Sequence, residues 1–202
     1  MFVSEKETNK RQLNKYKKVS DMLSSAFKLF IDKGYDNTSI DEITKNSNVA
    51  KGTFYLYFKD KVDIRNKLII DKSSEVISKA YEHVVSKSYE SREDKLIDFC
   101  DYIINYLNND KPLLSLIHKN ISVPLYKEVL NEDNKDNIIV KVLNEFEAEF
   151  EDKFTEEEFL INLFIILEMV GAVIYSSIIH NEPVGIDEIK PYIYNCIRKI
   201  IE

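Results

Sequence analysis

Apolar residues recur at three- and four-residue spacing through nearly the whole chain, in stretches separated by short polar breaks, and this period predicts helices. Over residues 10–33, Val19, Leu23, Ala26, Phe27, Phe30 and Ile31 mark one face of a helix that Gly34 ends, behind a polar segment 1–9 expected to fray. Asp60 restarts the chain into a helix reaching about residue 87, with Ile64, Leu68, Ile69, Val76, Ile77, Ala80, Tyr81 and Val84 as its apolar stripe. At 1.5 Å per residue that helix is roughly 40 Å long. Ser91 caps another, carrying Leu96, Phe99, Ile103 and Leu107 and stopped by Asn108, Asn109 and Asp110. Pro112 opens a short helix to about residue 119, Pro124 opens a further segment, and a polar break at 131–136 precedes an amphipathic helix over 138–150. The last helix, about 187–200, carries Ile189, Ile193, Cys196, Ile197 and Ile200, with Pro191 near its first turn, where a missing donor matters least.

Residues 159–179 are apolar all round and about as long as a membrane span. Asn162 and Glu168 interrupt the run, and Thr155 to Glu158 before it lack the basic flank of an anchor, so no membrane partner is expected. A helix apolar on every side can instead be covered on every side. One face would pack on its own domain and the other on a second copy of the chain, with Gly171 and Ala172 allowing close approach, in a homodimer formed through about residues 155–200.

The stretch 38–61, TSIDEITKNSNVAKGTFYLYFKDK, has two short helical patterns with only a tight turn between them. Thr38 or Ser39 followed by Glu42 is a capping-box signature that starts a helix near Ser39. Ile40, Ile43 and Thr44 face one way until Asn46, Ser47 and Asn48 stop the pattern, Asn48 being the expected left-handed residue. Val49, Phe54 and Phe58 anchor a second helix over 50–57 whose other side presents Lys51, Thr53, Tyr55 and Tyr57. Gly52 sits where a helix built for stability alone would use Ala, at a cost of about 1 kcal/mol, and close approach to a DNA strand is one reason to accept it. Helix, three-residue turn and helix make a helix-turn-helix, whose second helix enters the major groove. A small helical hairpin with an aromatic core fits the same pattern.

The chain has 202 residues and a net charge of −7, which by itself disfavours a nucleic-acid partner. Its distribution reverses that reading, because residues 1–67 carry 14 Lys and Arg against 9 Asp and Glu, while the acidic excess lies beyond them. Four Gly, four Pro and abundant Leu, Lys and Glu point to an all-α fold. Cys100 and Cys196 fall in apolar helical patterns and read as reduced core residues of a cytoplasmic protein, with a thiol sensor as the alternative. The N-terminus has no apolar core for a signal peptide.

Met22-Leu23, Ser25-Ala26, Leu29-Phe30, Gly34-Tyr35, Thr38-Ser39-Ile40, Ile43, Val49, Lys51-Gly52-Thr53, Tyr55, Tyr57-Phe58 and Lys61 together resemble the N-terminal domain of the TetR family of bacterial transcription regulators, without a gap over about residues 18–64. Ser47-Asn48 stands where the family usually has Ala-Gly, and Ser25-Ala26 where an Ala pair is common. The resemblance implies an all-α protein with a three-helix helix-turn-helix domain over 1–62, joined by a long helix to a helical effector-binding and dimerisation domain over 63–202. It implies a homodimeric repressor released from a palindromic double-stranded DNA operator by a small apolar or aromatic molecule. Thr53, Tyr55 and Tyr57 are expected on phosphates and base edges, with Gly52 allowing approach, and Lys51, Lys61, Thr38 and Ser39 on the backbone.

An effector pocket is implied in the middle helices, where Tyr102, Tyr106, His118, Tyr126, Asn162, Glu168 and Tyr175 are the polar groups in apolar surroundings. Glu168 is the foremost of them, because a buried carboxylate needs a partner. Any one of the seven is more simply explained as a hydrogen-bonded core or interface residue. No phosphate-cradling Gly-rich loop, HExxH, paired-cysteine motif or GxSxG occurs, and His83, His118 and His180 are far apart, so no enzyme, cofactor or metal is expected. The rival readings are an adaptor of the same fold without operator binding, and a helical ligand carrier or enzyme.

Overall fold

A computed structural model describes residues 5–118, 121–131, 134 and 136–202, with side chains from residue 12 onward and excepting that of residue 129. Among them the chain is helical throughout, in the order α1 (Glu5–Lys33), α2 (Ile40–Asn46), α3 (Lys51–Phe54), α4 (Lys61–Val85), α5 (Arg92–Asn109), α6 (Lys111–Ile117), α7 (Ser122–Val129), α8 (Ile138–Glu149), α9 (Glu156–Tyr175) and α10 (Ile186–Ile201). A single π-helical turn, Ser176–His180, continues α9 and ends at Asn181, which is left-handed at φ 58°. Half of the polar break expected at 131–136, residues 132, 133 and 135, lies outside the described residues. Helix α1 begins at Glu5, five residues before the apolar stripe would have it, because polar and charged residues can lengthen a helix without burying anything.

The chain divides into two compact units, Met1–Leu68 and Ile69–Glu202. In the first, every helix contributes buried apolar residues: Met22, Ala26 and Phe30 from α1, Ile43 from α2, Phe54 from α3, and Ile64 and Leu68 from α4. Gly34, at φ 85°, ends α1, donating its N–H to the Phe30 carbonyl at 3.1 Å.

In the second unit, Ala80 and Val84 of α4 pack with Phe99 of α5 and Val142 and Phe146 of α8, and a neighbouring cluster joins Ile70, Leu125 and Ile139. Helix α10 is laid along α5 by ion pairs at both ends, Asp94–Arg198 at 2.5 Å and Asp101–Lys190 at 2.7 Å, and Tyr194 donates to Asp101 between them. A spacing of seven residues on α5 against eight on α10 is two helical turns on each, so the pairs share one seam. Cys196 lies outside this seam and is exposed, contrary to the core position expected of it.

Candidate nucleic-acid interface and effector cavity

The first unit holds its turn rigidly with local bonds. Ser39 caps α2 in a full capping box, its Oγ accepting the Glu42 N–H while Glu42 Oε2 accepts the Ser39 N–H at 2.9 Å. Lys33 of α1 donates to the same carboxylate, and Ser25 of α1 donates to the Ile43 carbonyl at 3.0 Å, so two side chains bind α1 to α2. Hydrogen bonds from Lys33 first, then Ser39, hold the Glu42 carboxyl down to about 2. Ser47 ends α2 with its N–H on the Ile43 carbonyl at 3.0 Å, Asn48 takes the left-handed conformation at φ 53°, and Val49 N–H returns to the Thr44 carbonyl at 2.9 Å. Ala50 is extended, and α3 starts at Lys51.

Phe54 is fully buried and Phe58 nearly so, with their rings 5.4 Å apart, and they fix which side of the second helix is free. Lys51, Gly52, Tyr55 and Leu56 are exposed there, while Thr53 and Tyr57 are half-buried. Leu56 is 77% exposed and was not among the expected contacts. Its signal lay in the sequence: a residue midway between two aromatic anchors four apart must point away from both. Lys51 pairs with Asp41 at 2.7 Å across the two helix starts. Nothing lies within 4 Å of where a Cβ on Gly52 would stand, so no contact inside the protein requires glycine there.

Two expected backbone contacts are corrected. Thr38 is 2% exposed and its hydroxyl bonds the Gly34 carbonyl at 2.9 Å and the Leu29 carbonyl at 3.3 Å, so it closes the end of α1 and cannot meet a phosphate. Lys61 directs its ammonium at the carbonyls of Tyr35, Asp36 and Thr38, at 2.9, 3.4 and 3.0 Å, and sits 4.3 Å over the Tyr35 ring. Its charge remains at the basic end, but its three N–H bonds fasten the loop between α1 and α2 to the start of α4.

The residues expected to bind an effector do not gather. Tyr102 lies against His83 at 4.8 Å, Tyr106 lies under the Lys79 ammonium at 5.2 Å, and Tyr126 meets Phe164 edge-on at 6.2 Å. His118 and Tyr175 do meet, stacked at 3.5 Å between centroids. Asn162 is half-buried on α9. Glu168 is exposed, with Ser122 donating to it, so the buried carboxylate expected there is absent, because the helix turns that position outward.

The second unit instead holds a cavity of about 90 Å³ to which none of the seven contributes. Its wall is Cys100, Ile103, Ile104 and Leu107 of α5, Ile117 and Ile121, and Ile166, Leu167, Val170, Gly171 and Ile174 of α9. Burial, and secondarily Asp101, push the Cys100 thiol up to about 12, so it stays protonated and the wall is uncharged. Gly171 was expected to serve a contact between chains. It faces inward, where an added Cβ would stand 3.3 Å from the His118 carbonyl, and Ala172 is the exposed neighbour. Searching for polar groups missed this cavity; the signal for it was the small or apolar residue every three or four positions on α5 and α9. Among the described residues no group of His, Cys, Asp and Glu is placed to hold a metal ion.

Residues 22–68 match the family model described as bacterial regulatory proteins, tetR family. This stretch is similar to the N-terminal domain of that family. Across 71 residues, 35% of its length, the chain is 33% identical to the fatty acid metabolism regulator protein of Bacillus subtilis and covers 37% of that relative. Over 111 residues it is 31% identical to the transposon Tn10 TetC protein of Escherichia coli, covering 54% of each. The chain thus spans about half the length, or less, of the curated relatives it matches. Among solved structures, FadR from B. subtilis in complex with stearoyl-CoA aligns with 88% of this chain and 96% of its own, at 19% identity and a TM-score of 0.56. FadR from Bacillus halodurans aligns with 89% and 94%, at 18% identity and 0.58. At such identities the likeness establishes the fold alone: a small helical N-terminal unit followed by a larger helical unit.

Proposed function

We propose that the protein is a ligand-responsive transcriptional regulator of the cytoplasm that binds a palindromic DNA operator as a homodimer. The observation that carries the reading is the turn at Asn48 between the capped α2 and α3, which leaves Lys51, Gly52, Tyr55 and Leu56 exposed in one short segment. Tyr55, Tyr57 and Thr53 supply hydroxyls for phosphates and base edges, Leu56 an apolar surface for a thymine methyl, and Lys51 and Ser39 the backbone contacts. Selection of duplexes from a random pool tests this: enrichment of a palindrome supports the reading, and no enrichment over input overturns it.

The effector we infer is a molecule with a hydrocarbon part, as the wall of the cavity has no charge to match a polar one. Fatty acid metabolism and stearoyl-CoA in the names of similar proteins favour an acyl-CoA. A cavity of about 90 Å³ is smaller than the roughly 150 Å³ that takes up one benzene, so a long chain must part α5 from α9 to enter. Helix α5 also carries Phe99, which packs on Ala80 and Val84 of α4, the helix that begins at Lys61. That packing offers a route by which filling the cavity lowers operator affinity. Stearoyl-CoA should raise the melting midpoint and release selected DNA, while coenzyme A alone should do neither. Dimerisation is assigned to α9 and α10, because α9 is long and apolar enough to cross a membrane yet leaves Ile161 and Ile165 49% and 46% exposed. Ile161, Ile165, Glu168 and Ala172 lie at spacings of four, three and four, the seam of two packed helices.

A further inference from the structure

Residues 12–18 of α1 are all exposed, and the first fully buried side chain of the helix is Met22. Over residues 12–18, about two turns, nothing in the protein covers the helix. So short a helix is marginal alone in water, and Leu13 and Tyr16, 68% and 70% exposed, add no packing. Its composition is one-sided: residues 8–20 contain five Lys and Arg and no Asp or Glu. On that helix Lys15 and Lys18 lie within about 60° of each other, while Lys17 lies on the opposite side. Lys15 places its ammonium 5.8 Å from the ring of Tyr57, so the Lys15 face adjoins the segment assigned to DNA reading.

We propose that the Lys15 and Lys18 face of α1 is a second DNA contact, binding phosphates of the duplex outside the stretch read by α3. This rests on the operator-binding reading, and it extends the footprint of each chain along the backbone without adding base readout. An anionic lipid surface would also attract such a face; its position beside Tyr57 favours DNA.

The test uses the full chain and a 30-bp duplex carrying the palindrome selected from the random pool, with affinity measured by fluorescence anisotropy across a range of KCl concentrations. Each phosphate contact contributes about 0.9 to the slope of log affinity against log salt, so K15Q/K18Q should be shallower than wild type by about 1.8 per bound chain. K17Q should change the slope by less than half of one contact. If wild type binds and K15Q/K18Q keeps its slope, the contact is refuted while operator binding stands; if K17Q shifts as much as K15Q, a diffuse charge effect replaces it. Absence of any wild-type binding would overturn the operator reading itself. Loss of binding to phosphatidylserine vesicles in K15Q/K18Q, with DNA affinity intact, would assign the face to lipid and overturn the proposal.

Discussion

Gly52→Ala should move stability and DNA binding in opposite directions. Glycine in a helix is less favourable than alanine by about 0.5–1 kcal/mol, since it loses more freedom on folding. Position 52 is exposed, lies within α3, and would present a new Cβ to open space, so no clash offsets that gain. For a chain of this size about 1 kcal/mol raises Tm by roughly 2–4 °C, and the variant should melt about 1–4 °C above wild type. On DNA the added methyl stands where a strand must come close. Affinity for the selected duplex, measured by anisotropy at fixed salt, should therefore fall, by about tenfold if roughly 1.4 kcal/mol of contact is lost. Higher Tm with undiminished affinity would refute the close-approach argument. A lower Tm would refute the claim that the protein itself leaves the site free.

Lys61→Ala removes the donor to three carbonyls and should lower Tm, with a loss on the order of 1.5–3 kcal/mol, discounted because the site is only partly buried; an unchanged thermal melt would return Lys61 to the set of residues free for phosphates. Because Glu42 is held down to about 2 from an ordinary 4.5, its contribution is fully present above pH 4.5 and lost as pH falls toward 2. Wild type should lose stability over that window more steeply than Glu42→Gln, and parallel curves would contradict the coupling to Lys33 and Ser39. Ile161→Lys with Ile165→Lys should give a soluble monomer by sedimentation, since both are exposed in the single chain; a persistent dimer would move the interface elsewhere. Gly171→Val should narrow the cavity and reduce the midpoint shift caused by stearoyl-CoA, and an equal shift would show that the ligand lodges somewhere else.

Much of the first unit is determined by neighbours within a few residues. The capping box at Ser39 and Glu42, the left-handed Asn48 and the anchors Phe54 and Phe58 each act over one or two helical turns, so their pattern alone dictates the geometry. The helix start at Ser91 was legible for the same reason, whereas the capping box of Thr155 and Glu158 starts α9 ahead of the apolar run at 159. What local pattern could not decide was which way a polar side chain turns once helices pack. Thr38 and Lys61 have the residue types of phosphate ligands, yet carbonyls from residues between 4 and 26 positions away take their bonds. Glu168 reads as a buried carboxylate in an apolar run, but α9 leaves that face uncovered and Ser122, 46 residues distant, reaches it. The cavity belongs to the same class. An apolar stripe fixes that a face is buried, whereas the space left between two such faces depends on how α5 and α9 approach, and Gly171 is set against a carbonyl of another helix. Hydrophobic burial is non-directional and legible from periodicity, while hydrogen-bond partners and voids depend on distances of a few tenths of an ångström between distant segments, which only the tertiary structure decides.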